Sequence, residues 1–195
     1  MPTRDALFLS LNASISELTS RWEIYEQLFD SGEESVALLN SSGSYVFFLL
    51  QRLLLDDTML ALSRLTDPAS SDKKGKTKNA SINYLIEIAD PSLSAADRDY
   101  VNAASARLTT HVRNVRVHRT KSIAHADLPH SLGIVALPDI EYSELEGAMK
   151  ELGNLMLKLG TNAARRVGGY SQPVIAFGTD GNALLAVLRR AKAAR

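Results

Sequence analysis

Between Arg107 and Asp127 the sequence reads RLTTHVRNVRVHRTKSIAHAD, which holds three of the four histidines and five basic residues with no acid after Asp99 until Asp127. These side chains can do two kinds of chemistry. Histidine moves protons near neutral pH, and arginine or lysine steadies negative charge. His111, His118 and His125 recur every seven residues, so on a helix they lie along one line about 10 Å apart per step. That spacing is too wide for one metal ion, because helical metal sites use histidines three or four apart with carboxylates nearby. The neighbouring serines lack the Gly-x-Ser-x-Gly turn that exposes a hydrolase nucleophile. Neither metal nor cofactor is called for. What remains is general acid–base catalysis with a cationic clamp on phosphate, as in cleavage of RNA by its own 2′-hydroxyl. General acid–base help alone contributes about 10² to 10⁴ in rate. The plain structural alternative is that His125 satisfies carbonyls at a helix end and that the arginines form a solvated face.

The rest of the composition limits the setting. Twenty-two basic and 22 acidic residues cancel, which argues against nonspecific coating of nucleic acid and makes any RNA contact local. Cysteine is absent, removing disulfides and thiolate chemistry and agreeing with a reducing compartment. The first residues, Met-Pro-Thr-Arg-Asp, carry no signal-like apolar core, and the greasy run Tyr45–Leu55 is broken by Gln51 and Arg52. It falls short of the roughly 20 apolar residues of a membrane span. A cytoplasmic protein with no membrane role is expected. With 45% apolar residues in 195, one domain over 1–195 is expected, with a bundle core of about 5–168 and an appendage of about 169–195.

The elements that must position the basic stretch are all helical. Leu7, Leu11, Ile15, Leu18, Trp22, Tyr25 and Leu28 recur in steps of three or four and predict a first helix over about 5–29. A second, over about 34–65, is dense enough in apolar residues to be buried on more than one side, with a bend near Gly43. TDPASSDKKGKTKN, 66–79, reads as an exposed loop. Ser81 is placed to cap a helix over 82–89, and Ser94 with Asp97 to cap one running on to near Ala126. A connection over 128–140 leads to a helix from Ser143 to about Val167, stopped by Gly168-Gly169. A β-prone run, Val174–Phe177, precedes a final helix capped by Asp180, whose basic end suits its dipole. The fold class expected is an all-α, up-and-down bundle.

Arg119-Thr120-Lys121-Ser122-Ile123-Ala124-His125 resembles the Arg-x(4 to 6)-His motif of the HEPN superfamily. Gln51-Arg52-Leu-Leu-Leu-Asp56-Asp57, Leu62-Ser-Arg64-Leu-Thr-Asp67 and Lys121 to Asp127 resemble its abortive-infection U (AbiU)-like branch, over roughly Leu7 to Leu159. The resemblance implies a homodimeric helical bundle in which the two motifs face each other and form a metal-independent endoribonuclease site. It assigns Arg119 to the scissile phosphate and His125 to proton transfer. Lys121, Arg116 and Arg113 become RNA or phosphate contacts, with Thr120, Asp127 and His118 in support. The implied biology is phage defence or toxin action, with a regulatory or antitoxin protein as a further partner. Thr120 departs from the Asn, Asp or His common after the arginine in active members, and this keeps open a HEPN module that binds a nucleotide, RNA or regulatory protein without cutting. A purely structural bundle is the third reading. Arg113-Asn114-Val-Arg-Val-His118 is a second, less complete match. On an ideal helix Arg119 and His125 stand about 120° apart, so either the helix distorts near its end or a partner completes the site.

Overall fold

The computed structural model describes residues 3–72, 74–123, 127–161 and 173–194. The protein is all-α: α1 Arg4–Tyr25, α2 Glu33–Leu65, α3 Ile82–Ala89, α4 Ala95–His111, α5 Arg113–His118, α6 Leu128–Ser131, α7 Tyr142–Leu159 and α8 Gly181–Ala193. Among the described residues there is no strand, only an isolated antiparallel bridge between Ser70 and Lys78. The β-prone run Val174–Phe177 is irregular. Two compact units are formed, Met1–Ser16 with Met59–Ser171 and Glu17–Thr58 with Gln172–Arg195.

In the first unit α7 is the central support, packed against both α4 and α3. Its Leu145, Leu152, Leu155 and Met156 are fully buried, as the sequence periodicity requires. Two polar clamps join the layers. Arg107 grips Glu151 through both carboxylate oxygens, at 2.7 and 3.1 Å, and Arg4 reaches Ser92 Oγ at 2.7 Å and the Leu159 carbonyl at 2.8 Å. Ser81 and Ser94 cap α3 and α4 through the amides of Tyr84 and Asp97, as expected.

Three boundaries differ from the sequence reading. The helix from Ser94 breaks at Val112 (φ −89°, ψ 5°). The hydroxyls of Thr109 and Thr110 donate to the carbonyls four residues back, at 2.9 and 3.2 Å, a pattern that bends helices. α7 begins at Tyr142 rather than after Ser143, because the Glu141 amide donates to Glu144 at 3.2 Å. It ends at Leu159 rather than Val167. Gly160 there is extended, and a Cβ on it would lie 3.2 Å from the Phe8 ring. Gly168-Gly169 lie outside the described residues.

The loop 66–79 carries hydrogen bonds of its own. The Asp72 carboxylate accepts the amides of Lys74 and Lys76, at 2.9 and 3.1 Å, and that of Thr77. These N–H groups, Thr77 first, hold the carboxyl below its usual range.

The second unit is a helical hairpin closed by α8. α1 runs into a wide π turn, Glu26–Asp30, and the chain reverses through Gly32 (φ 114°), a conformation that suits glycine. Leu28, Leu38, Leu39 and Leu185 form its core, flanked by Phe47, Leu50 and Leu188. Gly181 opens α8 so close to Gln27 and Leu28 that a Cβ would lie 2.9–3.0 Å from them, and Asp180 caps the helix through Ala183 at 2.9 Å. α2 departs from helical geometry at Gly43, the expected bend. Its expected burial on more than one side holds for Leu38, Leu39, Met59, Leu62 and Leu65 but not for Val46 and Leu53, which are exposed.

Candidate functional site

α5 positions the site. Leu108, Val112 and Val115, spaced four and three apart, are buried, so the next turn carries Arg116 and Arg119 on neighbouring positions of one face. Both meet the C-terminal end of α2. Arg119 Nη1 donates to Asp67 Oδ1 at 2.7 Å and to Ser63 Oγ at 3.3 Å. Arg116 lies 3.5 Å from the same Asp67 oxygen, donates to Thr66 Oγ1 at 3.0 Å and bonds the Thr66 carbonyl. Asn83 adds donors to the carbonyls of Thr66 and Asp67, at 2.9 and 3.0 Å. The last carbonyls of a helix lack intrahelical partners and carry the negative end of its dipole, which is why cations dock here. Ser63 and Thr66 are buried beneath the pair.

Beyond Arg119 the helix widens into a π turn, Arg119–Ile123. π turns inside helices often occur at functional sites, and over Arg119–Ile123 this one departs from the ideal α-helical register. The distortion near the helix end, one of the two options expected from sequence, is present. Lys121 and Asp127 are fastened together across the following segment, by Nζ to Oδ2 at 2.8 Å and by the Asp127 amide to the Lys121 carbonyl at 3.1 Å. Lys121 holds the Asp127 carboxyl below the usual carboxylate range. His125 lies outside the described residues, as do Ala124 and Ala126.

The remaining sequence candidates fall as follows. Arg113 is exposed and makes no ion pair among the described residues. Thr120 turns its hydroxyl back to the Arg116 carbonyl at 2.9 Å. His118 Nε2 donates to the Pro138 carbonyl at 2.7 Å, and Asn114 to the Asp139 carbonyl at 3.0 Å, so this second motif match ties down the connection after α6. Asp67, Ser63 and Thr66 were visible in the sequence only as part of the resemblance. Nothing in their own spacing marks them as partners of Arg119. Among the described residues no group of three histidine, aspartate or glutamate side chains is placed to hold a metal ion, and no helix is long and apolar enough to cross a membrane. A cleft of about 210 Å³ beside Arg116, lined by Thr66, Asn83, Leu108 and Val112, is below the ~300 Å³ at which small-molecule sites usually begin.

An all-α bundle that carries Arg119-x(5)-His125 in the sequence after its basic helix α5 agrees with a HEPN domain. The HEPN_AbiU2 family model, described as AbiU2, matches residues 4–176, and the chain belongs to this family of abortive-infection-related HEPN domains. No curated protein and no solved structure matches it.

Proposed function

We propose that the protein is a metal-independent endoribonuclease acting as a homodimer, with Arg119 on the scissile phosphate and His125 as acid or base. The observation that carries this reading is the bracing of Arg119 by Asp67 and Ser63. A guanidinium has five donors; these two partners engage Nη1 and orient the group for a phosphate at its remaining N–H positions. A base takes the proton of the RNA 2′-hydroxyl, the 2′-oxygen attacks phosphorus, and an acid protonates the departing 5′-oxygen, leaving a 2′,3′-cyclic phosphate and a 5′-hydroxyl. Proton transfer falls to His125, and to the partner copy's motif where the two sites face each other. Lys121, Arg116 and Arg113 add local positive charge for the RNA backbone. Phage defence or toxin action, with a regulatory or antitoxin protein controlling it, is the biology that fits family and chemistry.

The test is purified wild type against Arg119→Ala and His125→Ala on mixed RNA with a chelator present. Cleavage by the wild type, lost in both folded variants, is expected. Cleavage untouched by either substitution sinks this assignment. A second reading, binding of RNA or a regulatory protein without cutting, is favoured by Thr120, whose hydroxyl is engaged by its own helix. RNA bound at low salt and left intact selects it.

A further inference from the structure

Lys73, Lys74, Lys76 and Lys78 crowd the loop after α2, and beyond Asp72 no acid occurs until Glu87. The loop folds back on itself, and its base lies at the site. Asn79 Nδ2 donates to the Pro68 carbonyl at 2.7 Å and the Asn79 amide to that of Ala69 at 3.1 Å, while Asn83 holds the carbonyls of Thr66 and Asp67. The arm therefore leaves directly from Asp67, the carboxylate that braces Arg119. Ser70 pairs with Lys78, and the Ser71 amide reaches the Thr77 carbonyl at 3.0 Å. Gly75 (φ 69°) turns the chain between Lys74 and Lys76. Asp72 accepts the amides of both these lysines and of Thr77, so the backbone that bears them is held while their side chains stay exposed.

The acids around this arm are engaged elsewhere. Asp67 faces Arg119 and Arg116, Asp72 faces backbone amides, and Glu87 holds Lys78 at 2.6 Å, whose ammonium also lies 5.1 Å from the centre of the Tyr84 ring. Lys74 and Lys76 make no ion pair among the described residues, and neither does Arg64, exposed next to the Ser63 that contacts Arg119. Two cations on a held turn, without internal counter-charge and on an arm that starts at the Arg119 brace, suit a polyanion that runs on from a phosphate at Arg119. Seven residues separate Asp67 from Lys74, which limits the tip to about 25 Å from that brace. We propose that Lys74 and Lys76 form a second backbone subsite for RNA, holding phosphates of the strand beyond the scissile bond, so that the substrate is an oligonucleotide longer than the two nucleosides flanking the cut. This rests on the reading of the protein as RNA-directed, yet not on His125 or on cleavage.

The test is fluorescence anisotropy of the full chain with a labelled, unstructured RNA of roughly twelve nucleotides, its 2′-hydroxyls methylated so that it has no nucleophile and cannot be cut. Affinity is read between about 0.05 and 0.2 M salt. Two phosphate contacts to a single strand contribute about 1.4 to the slope of log affinity against log salt. The Lys74→Gln/Lys76→Gln variant should lose that slope and bind roughly ten- to thirty-fold more weakly at about 0.1 M salt. Lys150→Gln, which removes an exposed charge on α7, should leave the slope unchanged. Asp72→Ala gives a contrast of sign: net charge alone predicts tighter binding, whereas losing the three amide contacts loosens the arm and should weaken binding by about three-fold or more. An unchanged slope in the double variant, an equal loss per charge in Lys150→Gln, tighter binding by Asp72→Ala, or no binding by the wild type overturns the proposal. Cleavage of ordinary RNA that persists in Arg119→Ala and His125→Ala would instead fail the proposed chemistry and leave these binding results as they stand.

Discussion

Removing the Asp67 carboxylate should unsettle Arg119 more than any other single change among the described partners. Asp67 Oδ1 lies 2.7 Å from Arg119 and 3.5 Å from Arg116, so only the first contact is at full hydrogen-bond strength. A charge-assisted hydrogen bond contributes about 1.5–3 kcal/mol. The side chains here are 21–36% exposed, and solvent screening lowers that to about 1–2 kcal/mol. For a chain of this size, Asp67→Ala should therefore lower the melting temperature by about 3–6 °C. The informative assay is a double-mutant cycle of Asp67→Ala and Arg119→Ala by urea unfolding, with a coupling of about 1 kcal/mol expected. If the protein cleaves RNA, Asp67→Asn should lower kcat more than it raises KM, since the amide keeps an acceptor but not the charge that fixes the guanidinium. Coupling below about 0.3 kcal/mol, the level at which independent sites simply add, would refute the idea that Asp67 positions Arg119.

Two further outcomes follow from the packing of α4 on α7. Glycine to alanine inside a helix normally stabilises by up to about 1 kcal/mol, but a Cβ at Gly147 would lie 2.5–2.8 Å from the His111 ring. Gly147→Ala should instead cost about 1–3 kcal/mol, visible as a lower urea midpoint; an unchanged or raised midpoint contradicts the close approach. Arg107 holds the Glu151 carboxyl below its usual range, so the unfolded chain takes up the proton first as pH falls. The stability contributed by this pair is present above the unfolded carboxylate pKa and is lost as pH drops through the lower, folded value. The gap in urea stability between wild type and Glu151→Gln should thus be full at pH 7 and narrow below about pH 4. A gap that persists to pH 2 would show that it does not arise from ionisation.

What could be read in advance was local in the chain. Ser81, Ser94 and Asp180 were identifiable as caps because each bonds an amide three residues on. The bend at Gly43 and the core positions of α1 and α7 follow from helix chemistry and periodicity. The end of α7 and the break at Val112 were not readable, because one depends on Phe8 lying against Gly160 and the other on which threonine rotamers the packing selects. Asp72 shows the same limit in a loop: composition implies an exposed loop, but not that one carboxylate accepting three amides builds a turn there.

By itself the sequence determined the helical class, the family motif and the choice of Arg119 and His125, since periodicity, capping and short motifs act within a few turns of one chain. Only the tertiary structure decided what Arg119 touches, for Asp67 lies 52 residues away and no local rule pairs two charges across that separation. The same holds for His118 and Asn114, drawn to the Pro138 and Asp139 carbonyls. It holds too for α2, whose apolar density in sequence suggests burial on more than one side, whereas the fold packs Phe47 and Leu50 inward and leaves Tyr45, Leu49 and Leu53 exposed.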